Sequence, residues 1–369
     1  MPPRPHFPGL DSLRFWAALL VVVGHVPMTQ AGVGLPSFAW GALFFRGGTA
    51  VSFFFTLSGF LITYLLLDEQ ARTGRIDVGA FYLRRVLRIW PLYFATIGFG
   101  LFFYNFLLPR LGIERAVTYP LGLAVLLYVF FLPNLMNALY SVGGILNPTW
   151  SIGVEEQFYL AWAPLVRRFR ERLPALCGWV LVGSFAVFLI ATANPWGWAA
   201  MQKFWTQLKF HFMAAGALAA WALFHHRERL LALPVFRKRW LQVGLGIFLL
   251  QYLVANLVRM HWAVDEVVQL LLFPWLLLEV GANPARALRV ANPVTEWLGE
   301  ISYGLYMLHM VAVYAVARLY QATGWWQMSF PLYALSFQLL AIGSTILLAW
   351  LSHRLYERPI LGLKRYFSR

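Results

Sequence analysis

At 369 residues the chain is long enough for two soluble domains, but 60% of it is hydrophobic, 12% is charged and its mean hydropathy is +0.63. These proportions exclude an ordinary soluble enzyme and predict an all-α polytopic membrane protein, residues 1–369 forming one transmembrane domain with no room for a sizeable soluble one. The net charge of +15 would suggest nucleic acid in a soluble protein; here it fits cytoplasmic loops facing anionic lipid or an anionic cofactor, and no nucleic-acid partner is expected.

The first apolar run, near 8–27, carries Arg14 in its first half and His25 near its far end. On an ideal helix these two lie about 20° from eclipsed and roughly 16 Å apart along one face. Charged or titratable groups inside a membrane helix are costly and point to function. The plainer alternatives are that Arg14 snorkels to a headgroup and His25 caps the helix before Pro27. Arg14 also spoils the run as a cleaved signal peptide, and no small-x-small site follows, so a retained signal anchor is expected.

Ten further runs follow, near 42–67, 89–108, 121–139, 150–166, 176–193, 207–224, 241–257, 265–280, 297–319 and 331–355. Basic residues cluster at Arg72–Arg88, Arg167–Arg172, Arg227–Arg239, Arg286 with Arg289, and the tail Arg358, Lys364, Arg365 and Arg369. The alternate loops hold only Arg110, Arg115, Lys203 and Arg259. The positive-inside rule then places both termini in the cytoplasm. Eleven crossings cannot satisfy that pattern, so about ten transmembrane helices are expected with one re-entrant or interfacial segment between 121 and 150. Pro120, Pro133, Gly143, Gly144 and Pro148 would break that stretch.

Five motifs sit on these runs. In the second, Ser58-Gly59 allows a close helix approach or a hydrogen bond across it. At the third, Arg84, Arg85 and Arg88 fall within roughly 100° of one helix face, which suits either a phosphate-bearing ligand or lipid phosphates at a stop-transfer cluster. Glu155 and Glu156 head the next strong motif, where they could cap a helix with Ser151 in a shifted capping box, orient a histidine or bind a sugar hydroxyl. Ser302, Tyr306 and His309 share a face, lining a cavity or forming a satisfied core. His353 to Pro359 reads as the end of the last helix, stopped by proline. His225 and His226 are adjacent in a basic loop. Cys177 is the single cysteine, and no metal-ligand spacing, phosphate-binding glycine loop or nucleophile elbow occurs, so no metal is expected.

The ordered set of Arg14 with His25, Phe54-Phe55-x-x-Ser58-Gly59-Phe60-Leu61-Ile62, Arg84-Arg85-x-x-Arg88-Ile89-x-Pro91-x-Tyr93, Trp150-Ser151 to Tyr159, Ile301-Ser302-Tyr303 to His309, and Tyr356-x-x-Pro359 resembles acyltransferase family 3 over essentially the whole chain. The resemblance implies an integral-membrane O-acyltransferase of the inner (cytoplasmic) membrane, without the periplasmic hydrolase-like domain that some members carry. It implies transfer of an acyl group, most often acetyl, from cytoplasmic acyl-CoA (acetyl-CoA first) to a hydroxyl of a carbohydrate or glycosylated small molecule. His25 would be the base or a transient acyl carrier. Arg14 and Glu155 would complete the catalytic group, and Arg84, Arg85 and Arg88 would hold the coenzyme phosphates. Ser58, Trp150, Tyr159, Tyr303 and His309 would line the substrate site. A transporter or flippase of a sugar-linked lipid is the competing class, though it has no need of a cofactor-phosphate site on one side only.

Overall fold

The structure, a computed structural model, describes residues 7–37, 47–113, 118–255 and 260–363. Arg115, Arg259, Lys364, Arg365 and Arg369, counted above for loop charge, lie outside the described residues, as does the beginning of the second apolar run. Every regular element among the described residues is helical.

Helix α1 (Leu10–Gly32) starts after Gly9, whose φ of +87° suits a residue without a Cβ. It continues through Pro27 for another turn and a half, so His25 lies inside the helix and does not cap it. Pro27 has no N–H for the Val23 carbonyl, and Thr29 Oγ1 donates to the His25 carbonyl at 2.9 Å. Helix α2 (Gly47–Thr73) is the hub: Phe55 and Phe60 on it are completely buried. Helix α3 (Val78–Phe102) is capped by the Asp77 side chain, which accepts from the Ala80 N–H at 2.9 Å.

The stretch from 121 to 148 is broken into α4 (Leu121–Val129) and α5 (Pro133–Leu139), neither long enough to cross a bilayer, followed by irregular chain. Helices α6 (Thr149–Arg168), α7 (Leu173–Ala193), α8 (Ala199–Gln207) and α9 (Phe210–Leu231) come next. Then follow α10 (Arg239–Leu250), α11 (Trp262–Gly281), α12 (Pro293–Glu300), α13 (Ser302–Thr323) and α14 (Phe330–Ser352). His225 and His226 belong to α9 and not to a loop; the helix kinks at His226, with φ −133° and ψ 32°. The chain also passes Pro359 within a helical turn, Arg358–Gly362, so that proline does not stop it. Wide turns of the i→i+5 type at Phe103–Leu107 and His353–Glu357 precede Pro109 and Pro359 by two residues. Loosening the backbone there makes room for each proline ring.

Among the described residues five helices are long and apolar enough to cross a membrane, and six if α12 and α13, bent by 73°, are one broken span. Three other helices of 20 to 22 residues are less apolar for visible reasons. Helix α6 holds Glu155 and Glu156, α9 holds three histidines and ends in arginines, and α11 holds Asp265, Glu266 and Glu279.

The closest packing is between α2 and α9. A Cβ added to Gly59 would stand 1.9 Å from the Met213 carbonyl oxygen, and one added to Gly216 would stand 1.9 Å from that of Thr56. The two backbones therefore touch at reciprocal glycines, the small-residue contact that membrane helices use in place of hydrophobic drive. Gly299 does the same for α12, where a Cβ would meet the Asp11 carbonyl oxygen at 2.0 Å. A buried hydrogen bond between Ser12 and Thr295, 2.9 Å, fixes the same junction. The first turns of α1, and with them Arg14, are held against α12 at two points.

Candidate functional site: two cavities joined by a histidine pair

Two cavities lie toward opposite ends of α1. The first, about 230 Å³, is bounded by Arg14, Ser58, Arg85, Arg88, Glu155 and Tyr159, with Ser151, Tyr303 and Tyr306 closing it. The second, about 600 Å³, is bounded by His25 and Thr29 of α1, by Asn137, Tyr140 and Asn147 of the broken segment, and by Lys203 and Tyr314.

The cations of the first cavity differ in what neutralises them. Arg14 pairs with Asp11 one turn earlier. Arg84 leaves the cavity and pairs with Glu69 at 2.8 Å. Arg85 and Arg88 line the cavity, and among the described residues neither has an ion-pair partner. The Arg85 guanidinium lies 5.6 Å and 5.7 Å from the rings of Phe81 and Tyr159, and its Nε is buried with no hydrogen bond. Of the arginine triplet, then, two members face the cavity and the third stabilises the loop side. Uncompensated cations at such a place are expensive unless an anion joins them.

Glu155 accepts hydrogen bonds from Ser58 Oγ (3.1 Å) and Tyr159 Oη (2.8 Å), which brings three of the expected residues onto one wall. It stands one turn inside α6, whose first turn has no acid, and Ser151 donates to the Pro148 carbonyl instead of capping, so the capping-box reading is not met. Nor does Glu155 touch His25, since the two line different cavities. Glu156 turns away to accept from Trp90 Nε1 at 3.3 Å. Tyr303 lines the first cavity with its hydroxyl donated to the Ile89 carbonyl at 2.8 Å. Trp150 lines neither cavity; its ring meets Phe55 edge-on at 6.1 Å and backs the wall.

Between the cavities is a chain of rings. Tyr306, on the wall of the first, is 6.0 Å from the ring of His309, and His309 is 4.9 Å from the ring of His25, which faces the second. His309 is completely buried. Each imidazole uses Nδ1 toward a carbonyl of its own helix: His25 toward Val21 at 2.8 Å, His309 toward Tyr306 at 2.6 Å. A carbonyl only accepts, so Nδ1 carries the proton in both rings and Nε2 keeps its lone pair. The Nε2 of His309 has no partner. Tyr306 Oη shares a hydrogen bond with Ser151 Oγ (2.6 Å) and stands 3.2 Å from the Pro148 carbonyl that Ser151 also reaches, tying α13 to the start of α6.

The broken segment supplies part of the second cavity, and the cation that lines it among the described residues is Lys203 of α8. The ammonium donates to the Asn137 carbonyl (2.6 Å) and to Asn137 Oδ1 (2.9 Å), and partial burial pushes its pKa below the usual lysine range. Sequence reasoning gave Lys203, Asn137, Asn147 and Tyr314 no site role. The usable signal was slight: a lone lysine in a loop otherwise free of charge.

The described residues contain no group of three or more histidine, cysteine or carboxylate side chains able to hold a metal ion. Cys177 is free and buried.

A family model described as an acyltransferase domain matches residues 7–354. The peptidoglycan O-acetyltransferase OatA of Listeria monocytogenes is 23% identical over 398 aligned positions, covering 99% of this chain and 58% of its own length. The O-acetyltransferase OatA of Staphylococcus aureus is 32% identical over 171 residues, covering 44% of this chain and 25% of its own. The chain thus spans between a quarter and somewhat over half of these relatives. No solved structure matches.

Proposed function

This chain belongs to the family of membrane acyltransferases that the acyltransferase-3 domain defines, and from that membership we propose that it is an acyl-CoA-dependent O-acetyltransferase acting on a carbohydrate acceptor. The relatives named for O-acetylation of peptidoglycan support a sugar hydroxyl as the acceptor. The observation that carries the donor assignment is the pair of cavity-facing guanidiniums, Arg85 and Arg88, without carboxylate partners beside the neutralised Arg84. Such forks match phosphate oxygens with two charge-assisted hydrogen bonds each.

In this reading the protein crosses the inner membrane about ten times with both termini in the cytoplasm. The arginine cavity opens to the cytoplasm and admits the donor, its phosphates at Arg85 and Arg88 and its pantetheine arm running inward past Glu155 and Tyr159. The larger cavity holds the acceptor. His25 Nε2 takes the proton of the acceptor hydroxyl, and the oxygen attacks the thioester carbonyl. The C–O bond forms, the C–S bond breaks, and the coenzyme thiolate recovers the proton from the imidazolium. Nδ1 anchored on Val21 holds the tautomer this step requires. His309 sets a second imidazole beside the first, 4.9 Å away between ring centres, and so shapes the surroundings of the base. Arg14, balanced by Asp11, stands in the donor cavity, where it adds a cation to the path of the donor.

The test is acyl transfer from radiolabelled acetyl-CoA to a peptidoglycan-derived disaccharide by the purified protein in lipid nanodiscs, with donor binding measured in parallel. Transfer is expected to fall by about 10²–10⁴ in His25→Ala with donor binding intact. Transfer at the native rate in His25→Ala removes the base assignment, and donor affinity unchanged in Arg85→Gln/Arg88→Gln removes the donor site.

A further inference from the structure

A third cavity, about 390 Å³, opens between the end of α3 and α13, lined by Phe99, Phe103, Leu111, Val311 and Ala315. It is apolar but for two residues, and Phe99 and Leu111 on its rim are 41% and 61% exposed. Ile145 and Tyr314 line both this groove and the polar cavity that holds His25, so the two share a wall. At its edge stands Arg318, which bonds only neutral groups: Nε donates to Tyr314 Oη at 2.9 Å and Nη1 to Gln321 Oε1 at 2.9 Å. No carboxylate pairs with it among the described residues. The neighbouring groove against α14, lined by Val311, Leu319 and Leu347, borders no polar cavity and has no cation.

We propose that the acceptor is a lipid-linked sugar phosphate, its hydrocarbon chain in this groove, its phosphate at Arg318 and its sugar in the cavity beside His25. This deepens the function proposed above and rests on the larger cavity being the acceptor site. Three features converge on it. The groove faces the lipid side of helices that cross the membrane, where a chain can slide in without passing through water. An unneutralised guanidinium at its rim matches a phosphate. The shared wall also connects them: Tyr314, one turn before Arg318 on α13, lines both the groove and the cavity that holds His25, so a sugar on a phosphate held at Arg318 can enter that cavity past Tyr314 and Ile145. The 600 Å³ of the polar cavity leaves room for it, and Lys203 and Asn137 stand ready for its polar groups.

The experiment uses the full chain in nanodiscs and compares a farnesyl-phosphate-linked disaccharide with the same disaccharide free in water, and a diazirine-bearing version of the former is used for photolabelling. The native protein should show a KM at least tenfold lower for the lipid-linked acceptor. Ala315→Trp, which fills the exposed groove without touching the core, and Arg318→Gln should each erase that advantage and leave kcat, donor binding and the free-disaccharide KM unchanged. Labelling should concentrate on 99–113 and 311–318. Equal KM values for the two acceptors in the native protein overturn the proposal, as does labelling spread evenly round the lipid-facing surface, which would mark the groove as a seat for ordinary bilayer lipid. If neither disaccharide is acetylated, the acceptor-site reading itself fails, while the labelling pattern still decides for or against the groove.

Discussion

The imidazoles of His25 and His309 lie 4.9 Å apart, centre to centre, though 284 residues of sequence separate them. Each is turned by a carbonyl of its own helix so that Nε2 is the free nitrogen. The two bases are not equivalent, because His25 borders a cavity and His309 does not. His25→Ala should lower kcat by about 10²–10⁴, the usual worth of a positioned base. His309→Ala should lower kcat about tenfold, leave both KM values within twofold, and alter the pH profile. Steady-state kinetics with both substrates varied measures this.

A base works only when unprotonated. Activity governed by His25 should therefore be constant while the ring is neutral and, as pH falls, decline by about tenfold per unit once the ring is mostly protonated. The measurement is kcat/KM for the acceptor across pH, with donor binding followed separately so that changes at the coenzyme are not mistaken for the base.

The arginine triplet should separate into two classes. Arg85→Gln and Arg88→Gln each remove a charge-assisted contact, worth about 1.5–3 kcal/mol, and should weaken acetyl-CoA binding about 10- to 100-fold. Arg84→Gln loses its bond to Glu69 and should instead lower thermal stability, with donor affinity nearly unchanged. Calorimetric titration with acetyl-CoA distinguishes the two.

Tyr306, on the wall of the first cavity, ties α13 to the start of α6 through Ser151 and the Pro148 carbonyl. Tyr306→Phe removes both without changing the ring. Water should then reach the thioester more readily. Acetyl-CoA hydrolysis without acceptor should rise severalfold while transfer falls, read from released thiol in the presence and absence of acceptor.

The reciprocal glycine contact of α2 and α9 leaves no space for a side chain. Gly216→Val or Gly59→Val should separate the helices at a cost above the roughly 1–3 kcal/mol of ordinary overpacking, because the atoms each would meet are backbone. The readout is the yield and melting temperature of detergent-purified protein, with Gly98→Ala on α3, where a Cβ meets nothing within 4 Å, as the control.

What the sequence revealed depended on how local the signal was. Arg14 and His25 stand on one helix, so eleven residues of spacing were enough to relate them. The prolines and glycines of 121–148 announced a broken stretch, and it is broken. The partner of a side chain on another helix left no such trace: that Arg84 would be neutralised by Glu69, that Glu155 would bind Ser58 and Tyr159 and not His25, or that His309 would meet His25. Helix ends were also misread at proline, since both Pro27 and Pro359 lie within helical backbone, the second accommodated by the wide turn ahead of it. Lys203 stayed hidden because a single lysine has no periodicity.

Pro27 has one more implication. The hydrogen-bond ladder of α1 lacks the rung to Val23, and His25 is carried on the turn that this gap loosens. A rigid helix would fix the imidazole against one cavity for good. Here the backbone lacks one rung beside the ring, so small bends of the C-terminal third of α1 can move the base toward His309 or away from it without disturbing Arg14, which Gly299 and the Ser12–Thr295 bond hold fast. The same helix thus serves as an anchored post at one end and as a compliant arm at the other.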